Sequence, residues 1–230
     1  MIIYQPIDGY CYNSDTIFLY DFLTNFNIKG NVLDIGSGSG ILGLLVAKDK
    51  KINLSAVEIQ EFMANYTKIN AKANKIEIDL KVGNFLDLEF DKKFDFLISN
   101  PPFYHENVLR SKKKELDISR FSKNLPFEEI LKKANRILKP RGSFIFCYDA
   151  KQIQKIVYFL TNYKYNIEAI KFVHPKKEKE ANLVMIYAKK GSKTLTKIFP
   201  PLIVFEDSKY TKEALEAFKK AGVHSIKCAI

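Results

Sequence analysis

Over residues 15–26, Phe18, Phe22 and Phe26 recur at i, i+4 and i+8, with Leu19 and Leu23 beside them. That spacing predicts a helix with one apolar face. Residues 31–35 form a short apolar run that stops in glycines, the pattern of a buried strand. Residues 41–48 read as a helix and 53–57 as a second strand. Over 60–73, Phe62, Met63, Tyr66, Ile69 and Ala73 fall on one helical face. Residues 78–82 and 94–99 read as strands. Phe127, Ile130, Leu131, Ala134, Ile137 and Leu138 make a full helical stripe, with Pro126 where a helix can begin. Residues 143–148 read as a strand, and Asp149 can cap a helix carrying Ile153, Ile156, Val157 and Leu160. Two more strands, 167–173 and 183–188, are joined by a short basic loop, as in an antiparallel pair. A short amphipathic helix is expected over 211–221. The most polar stretch, 105–124, reads as a long loop within the domain.

Strands alternating with helices require a mostly parallel sheet covered on both faces. The pattern predicts a Rossmann-like α/β fold with a seven-stranded mixed sheet, and the final pair suggests one antiparallel edge strand. The expected organisation is a single domain over 1–230, with a core at 31–190, a segment 1–30 before it and a basic extension at 191–230. The longest strictly apolar run is 183–188, far short of the ~18–20 residues that span a membrane. Cys11, Cys147 and Cys228 lie far apart and form no CxxC, which argues against a disulfide framework and a zinc site. Together with the lack of a leader-like N-terminus, this points to a reducing cytoplasm.

Chemistry concentrates where strands end. Asp34-Ile35-Gly36-Ser37-Gly38-Ser39-Gly40 stands at a strand-to-helix turn, and absent β-carbons let the backbone pass close to a ligand. Two readings fit. Gly38, Gly40 and Gly43 satisfy the GxGxxG dinucleotide pattern, with Glu58 as the ribose acid. Alternatively, Asp34 with Gly36, Gly38 and Gly40 satisfies the DxGxGxG pattern of S-adenosylmethionine-dependent methyltransferases, with the acid facing the ligand's ammonium. Glu58 closes the second strand, where a carboxylate can accept both ribose hydroxyls. Asn84 and Phe85 follow the third strand, placed to read an adenine edge and pack on its ring.

Asn100-Pro101-Pro102-Phe103 follows the fourth strand. An amine on an aromatic ring is a poor nucleophile because its lone pair is delocalised. The Asn100 side-chain oxygen and the Pro101 carbonyl can accept both of its N–H bonds and favour a more tetrahedral nitrogen. The prolines fix the backbone, and Phe103 offers a face for an extruded base.

The order and spacing of these motifs resemble the amino-methylating class I methyltransferases. From Gln5 to Phe218 the chain resembles the bacterial tRNA (adenine-N6)-methyltransferases that modify an adenine in the anticodon loop of valine tRNA. The marks are Gly9-Tyr10 with Asn13-Ser14-Asp15, the glycine turn, Val57-Glu58-Ile59-Gln60, Asn100-Pro101-Pro102-Phe103, Val173-His174-Pro175 and Pro200-Pro201-Leu202. The resemblance implies a class I fold, S-adenosylmethionine as cofactor and an N-terminal segment folded over it, with Tyr10 and Asp15 near the methionine moiety. The family loop often carries Arg-His-Glu where this chain has Arg120-Phe121-Ser122, so no role is carried over to residues 121 and 122.

Charge then gains an address. The 37 Lys and Arg against 26 Asp and Glu leave +11. Residues 1–100 hold 10 basic and 13 acidic groups, and residues 101–230 hold 27 and 13. A polyanion-facing half shows such asymmetry, and so does lysine-rich compositional drift. All four arginines fall between 110 and 141. Arg110, Lys112, Lys113, Lys114 and Arg120 are expected to capture RNA phosphate beside the pocket, and Arg136 and Arg141 to serve a helix end. A protein-glutamine methyltransferase shares the Asn-Pro-Pro-aromatic motif but usually has tyrosine at its end and an N-terminal helical domain. An rRNA guanine-N2 methyltransferase is a further alternative. A DNA adenine methyltransferase needs a target-recognition domain, and none is apparent. A degenerate RNA-binding module fits poorly with intact Asp34, Glu58 and Asn100, and a nicotinamide dehydrogenase leaves the proline motif without a role.

Overall fold

Val32, Leu33 and Ile35 are all inaccessible to solvent. Successive strand residues face opposite sides, so this strand must be covered on both. The computed structural model describes residues 1–8, 11–101 and 126–229. Its elements are β1 (Ile2–Pro6), α1 (Ser14–Leu23), β2 (Gly30–Ile35), α2 (Ile41–Asp49), β3 (Ile52–Glu58), α3 (Glu61–Ala73), β4 (Asp79–Val82) and β5 (Phe94–Ser99). Then come α4 (Phe127–Ile137), β6 (Leu138–Asp149), a 3-10 turn (Ala150–Gln152), α5 (Ile153–Asn162), β7 (Tyr165–Lys176) and β8 (Leu183–Lys190). The chain ends with β9 (Lys197–Ile198), β10 (Leu202–Glu206), β11 (Lys209–Tyr210), α6 (Lys212–Ala221) and β12 (His224–Cys228).

The main sheet runs β11-β10-β7-β8-β6-β5-β2-β3-β4, with β9 beside β7. The expected Rossmann-like α/β architecture is present. Two details differ from the sequence reading. The sheet has ten strands among the described residues. The antiparallel strand β8 is also not at an edge: it pairs with β6 on one side and β7 on the other. The outer edge of β7 is in turn covered by β10 in parallel, which leaves fewer unpaired backbone groups there. The short apolar run 202–205 after two prolines has too little alternation to be read as a strand. Helix α1 stops at Leu23 rather than 26, because the chain tightens after it: the Asn25 and Phe26 N–H groups bond three residues back, to the Phe22 and Leu23 carbonyls, instead of four. Phe26 still packs edge-on against Phe22, with ring centres 5.0 Å apart.

Helices α1, α2 and α6 cover one sheet face, and α4 and α5 the other. No helix among the described residues is long and apolar enough to cross a membrane.

The two chain ends meet in a parallel ribbon, β1 with β12, which docks on α3 through side-chain amides. Asn70 accepts the Tyr4 N–H at 2.7 Å, and its Nδ2 donates to the Tyr4 carbonyl at 3.0 Å and the Ser39 carbonyl at 2.8 Å. One turn on, Asn74 grips both backbone groups of Ile2. Because Asn70 is fully buried, Asn70→Ala leaves several polar groups without partners. It is expected to cost about 3 kcal/mol of stability, read by urea unfolding, and to expose β1 to limited proteolysis at the same time.

Candidate active site

The strand order reverses beside β2, whose neighbours are β3 and β5. In an open parallel sheet, ligands bind at the carboxyl ends of strands flanking such a switch point. Asp34, Glu58 and Asn100 converge there, at the ends of β2, β3 and β5.

The glycine loop is held at several points. The Val57 carbonyl accepts the Gly36 N–H at 2.9 Å and the Ser37 N–H at 3.0 Å. Thr67 donates to the Gly38 carbonyl at 2.8 Å. Gly36 and Gly40 have φ of +70° and +83°, where L side chains are strained. A β-carbon on Gly40 would also lie 2.9 Å from Thr67 Cγ2, whereas one on Gly36 would meet nothing within 4 Å. The backbone of Gly36 therefore faces open space.

That space is a cleft between the loop and α1, bounded by Tyr12, Thr16, Asp34, Ser37, Leu42 and Asn100 among others. Asp34 is buried and accepts the Gly43 N–H at 2.9 Å. Burial pushes its carboxyl up to about 7, opposed by the Gly43 bond and helped by the charge of Glu58. Glu58 accepts the Gly38 N–H at 2.7 Å and the Gln60 N–H at 2.9 Å. Burial raises its pKa, and the backbone donors of Gln60, Gly38 and Ile59 oppose the rise. Asp15, in the first turn of α1, receives a bond from Asn13 Nδ2 at 2.9 Å, and burial raises its carboxyl too. The Ser37 hydroxyl is buried without a partner among the described residues.

Ser99 ties β5 to β2 by donating to the Ile35 carbonyl at 2.7 Å. This brings Asn100 to the cleft wall, where its Nδ2 donates to Thr16 Oγ1 at 2.9 Å and its Oδ1 accepts the Cys147 S–H at 2.9 Å. Pro101 is buried next to it.

Asp34, Gly36, Gly38 and Asn100 thus line one cleft, and Glu58 and Gly40 shape the loop that forms it. Asn84 and Phe85 are placed otherwise. The Asn84 side-chain oxygen accepts the Leu86 N–H at 3.1 Å. Phe85 is buried against Phe90, with the Lys133 ammonium 5.6 Å from its ring centre. Tyr10, Pro102, Phe103, Arg110, Lys112, Lys113, Lys114 and Arg120 lie outside the described residues. Arg136 and Arg141 are exposed at the amino-terminal edge of the sheet. Along β6, Arg141 precedes Cys147 by six residues, about 20 Å, so both arginines are remote from the cleft. Tyr12, Thr16 and Cys147 were not legible as site residues. Thr16 reads as one more position in the first turn of a helix, and Cys147 as one more core position in a buried strand.

A family model described as "Methyltransferase small domain" matches residues 13–173. Among curated relatives, the tRNA1(Val) (adenine(37)-N6)-methyltransferase of Phocaeicola vulgatus is 27% identical over 160 residues, covering 68% of this chain and 67% of that protein. The protein of the same name from Actinobacillus pleuropneumoniae is 28% identical over 149 residues, covering 63% of this chain and 62% of its own length. The fold is similar to that of an Agrobacterium tumefaciens protein described as a predicted O-methyltransferase, with a TM-score of 0.69 at 18% identity over 93% of this chain and all of that one. It is also similar to a Thermus thermophilus 16S rRNA N2 G1207 methyltransferase solved with AdoMet and guanosine, with a TM-score of 0.58 at 19% identity over 80% of this chain and 45% of that one. The family match takes in α1, the glycine loop, β3 and β5, the parts that build the cleft, and the chain belongs to the methyltransferase small domain family.

Proposed function

We propose that this chain is an S-adenosylmethionine-dependent N-methyltransferase whose acceptor is the exocyclic N6 amine of an adenine in tRNA. The observation that carries this reading is Asn100 followed by Pro101 on the wall of a cleft whose other wall is the glycine loop and Asp34. The substrate assignment is supported by the names of the relatives, which are tRNA adenine-N6 enzymes.

The cleft suits the cofactor. Gly36 leaves the space a β-carbon would take, Ser37 offers an unpartnered hydroxyl, and the buried Asp34 and half-buried Asp15 are carboxyls that a ligand ammonium would stabilise in the charged form. Glu58 would accept the ribose hydroxyls, while Asn84 and Tyr10 complete the cofactor side of the reading. Residues 1–30 form the covering segment. Its β1 is held by Asn70, which also holds the glycine loop, and Tyr12 and Thr16 line the cleft. S-adenosylmethionine supplies an already activated methyl group, so the chain needs to orient the acceptor rather than deprotonate it strongly. Asn100 Oδ1 and the Pro101 carbonyl take the two N–H bonds of the amine, and Pro102 and Phe103 shape and stack the base. Arg110, Lys112, Lys113, Lys114 and Arg120 take RNA phosphates by point charge and planar fork. The cysteines are free thiols, in keeping with a cytoplasmic site of action. Transfer of methyl label from S-adenosylmethionine to unmodified tRNA tests the whole reading.

Asp34 gives the cofactor site a pH signature. Because burial lifts its pKa to about 7, the carboxyl is mostly neutral at pH 6 and mostly ionised by pH 7.5. In the free protein its stabilising contribution is fully present below the unfolded pKa and is lost as pH rises through the folded one. A bound ammonium offsets that loss. Cofactor affinity is expected to rise about fivefold between pH 6 and pH 7.5, before the ligand's own α-amine loses its proton. Calorimetric titration of the native protein and Asp34→Asn checks it, and the variant should show no rise.

A further inference from the structure

We propose that Thr16 and Cys147 are positioning residues that fix which way the Asn100 carboxamide faces, and so set the amide for the acceptor amine. The inference rests on the reading of Asn100 as the group that receives an acceptor N–H.

A carboxamide has two nearly isosteric ends with opposite hydrogen-bonding sense. Rotated by half a turn, Asn100 would present its own N–H bonds to the amine, donor against donor. The Asn-Pro-Pro-Phe sequence does nothing to choose between the two rotamers. The choice is made by residues distant in sequence: Thr16 Oγ1, 84 positions away, receives Nδ2 at 2.9 Å, and Cys147 Sγ, 47 positions away, meets Oδ1 at 2.9 Å. Thr16 is 4% exposed and Cys147 not at all, so water does not replace either partner.

The two contacts are not equivalent. A threonine hydroxyl can serve either end of the amide by turning its proton. The thiol cannot. Burial and the charge of Asp15 push Cys147 well above the ordinary thiol range, so it stays S–H, a weak donor and a poor acceptor. Cys147 thereby selects the oxygen, and Thr16 accepts from the nitrogen that remains. Because an amide oxygen has two lone pairs and a thiol is a weak donor, Oδ1 keeps a lone pair and most of its acceptor strength for the substrate.

The arrangement also connects the amino-terminal segment to the chemistry. Thr16 lies in the first turn of α1, Cys147 in β6 and Asn100 at the end of β5. The amide is set only when α1 is seated on the sheet.

The test is steady-state kinetics of Thr16→Val, Thr16→Ser and Cys147→Ala in the full chain, with S-adenosylmethionine and unmodified tRNA, alongside thermal melts. Thr16→Val conserves volume and removes the acceptor. Its kcat is expected to fall about tenfold or more, with KM for cofactor and RNA within about twofold of the native values. Thr16→Ser restores the oxygen and should bring kcat back to within about threefold. Cys147→Ala should lower kcat about fivefold, by the loss of one hydrogen bond. Native kcat in Thr16→Val overturns the proposal. So does a loss confined to the cofactor KM, which would make Thr16 a cofactor contact, or a lowered melting temperature with no rescue by serine, which would make its role structural. Transfer by the native protein to guanine or to a protein glutamine would overturn the adenine assignment alone, because the same variants can be run on that acceptor. Absence of transfer to any of these acceptors would overturn both.

Discussion

Asn100→Ala is expected to lower kcat by about three orders of magnitude while leaving cofactor affinity within about threefold of the native value. Removing one preorganised hydrogen-bonding group aimed at a reacting centre costs about 10²–10³ in rate. On the proposed reading the same group also decides whether the nitrogen is held at all. In the native chain the amide forms part of the cleft wall and is bonded to Thr16 and Cys147. Its truncation frees one hydroxyl and one thiol without opening the sheet, so the melting temperature should move little. Asn100→Asp keeps an acceptor toward the amine, and the Thr16 hydroxyl can turn to donate to it, so that variant should retain more activity than alanine. Single-turnover transfer, with cofactor binding measured separately by calorimetry, distinguishes lost chemistry from lost binding. A parallel loss of affinity and rate in Asn100→Ala would place the residue in the cofactor site instead.

Glu58→Ala should act almost entirely on the cofactor, weakening its binding about a hundredfold or more. The carboxylate accepts the Gly38 N–H at 2.7 Å and the Gln60 N–H at 2.9 Å, and on the proposed reading its remaining lone pairs accept two ribose hydroxyls. Hydrogen bonds to a charged acceptor contribute about 1.5–3 kcal/mol each. Two of them account for the expected loss before any loosening of the glycine loop is added. Glu58→Gln is expected to do little better, because its amide NH2 would face a backbone N–H that needs an acceptor. At saturating cofactor, kcat should stay within about fivefold of native in both variants. Equilibrium binding of S-adenosylmethionine followed by turnover at high cofactor measures the two quantities. A tenfold or greater drop in saturated kcat would show that Glu58 acts beyond the cofactor site.

Much of this architecture was legible because the chain obeys simple periodicities. The apolar runs of β2, β3 and β5 are buried on both sides, and the stripe from Phe127 to Ile137 is one helix face. Asp34, the glycines, Glu58 and Asn100 stand next to strand ends, so an alternating α/β pattern alone brings them to one edge of the sheet. What was not legible depends on contacts between distant segments. The ribbon of β1 and β12 is short, lacks clean alternation and forms only because the chain ends meet. The interior position of β8 follows from its pairing with both β6 and β7, and β7 is covered in turn by β10, a short run after two prolines that carries no sign of joining the sheet. Phe85, read as a ring for adenine, lies instead in the core with Phe90 and Lys133, because the loop after β4 folds inward. Thr16 and Cys147 gain their meaning only by touching Asn100. The charge asymmetry also divides on inspection: Arg136 and Arg141 stand at the far edge of the sheet, so any RNA-facing charge beside the pocket must come from other residues.

The most direct measurement is incubation of the native chain with methyl-labelled S-adenosylmethionine and unmodified total tRNA, followed by digestion and mass analysis of the nucleosides, with Asn100→Ala run in parallel. Label recovered as N6-methyladenosine with the native protein, and lost with the variant, is the predicted result. Label in N2-methylguanosine, in protein glutamine, or at equal levels with Asn100→Ala would contradict it.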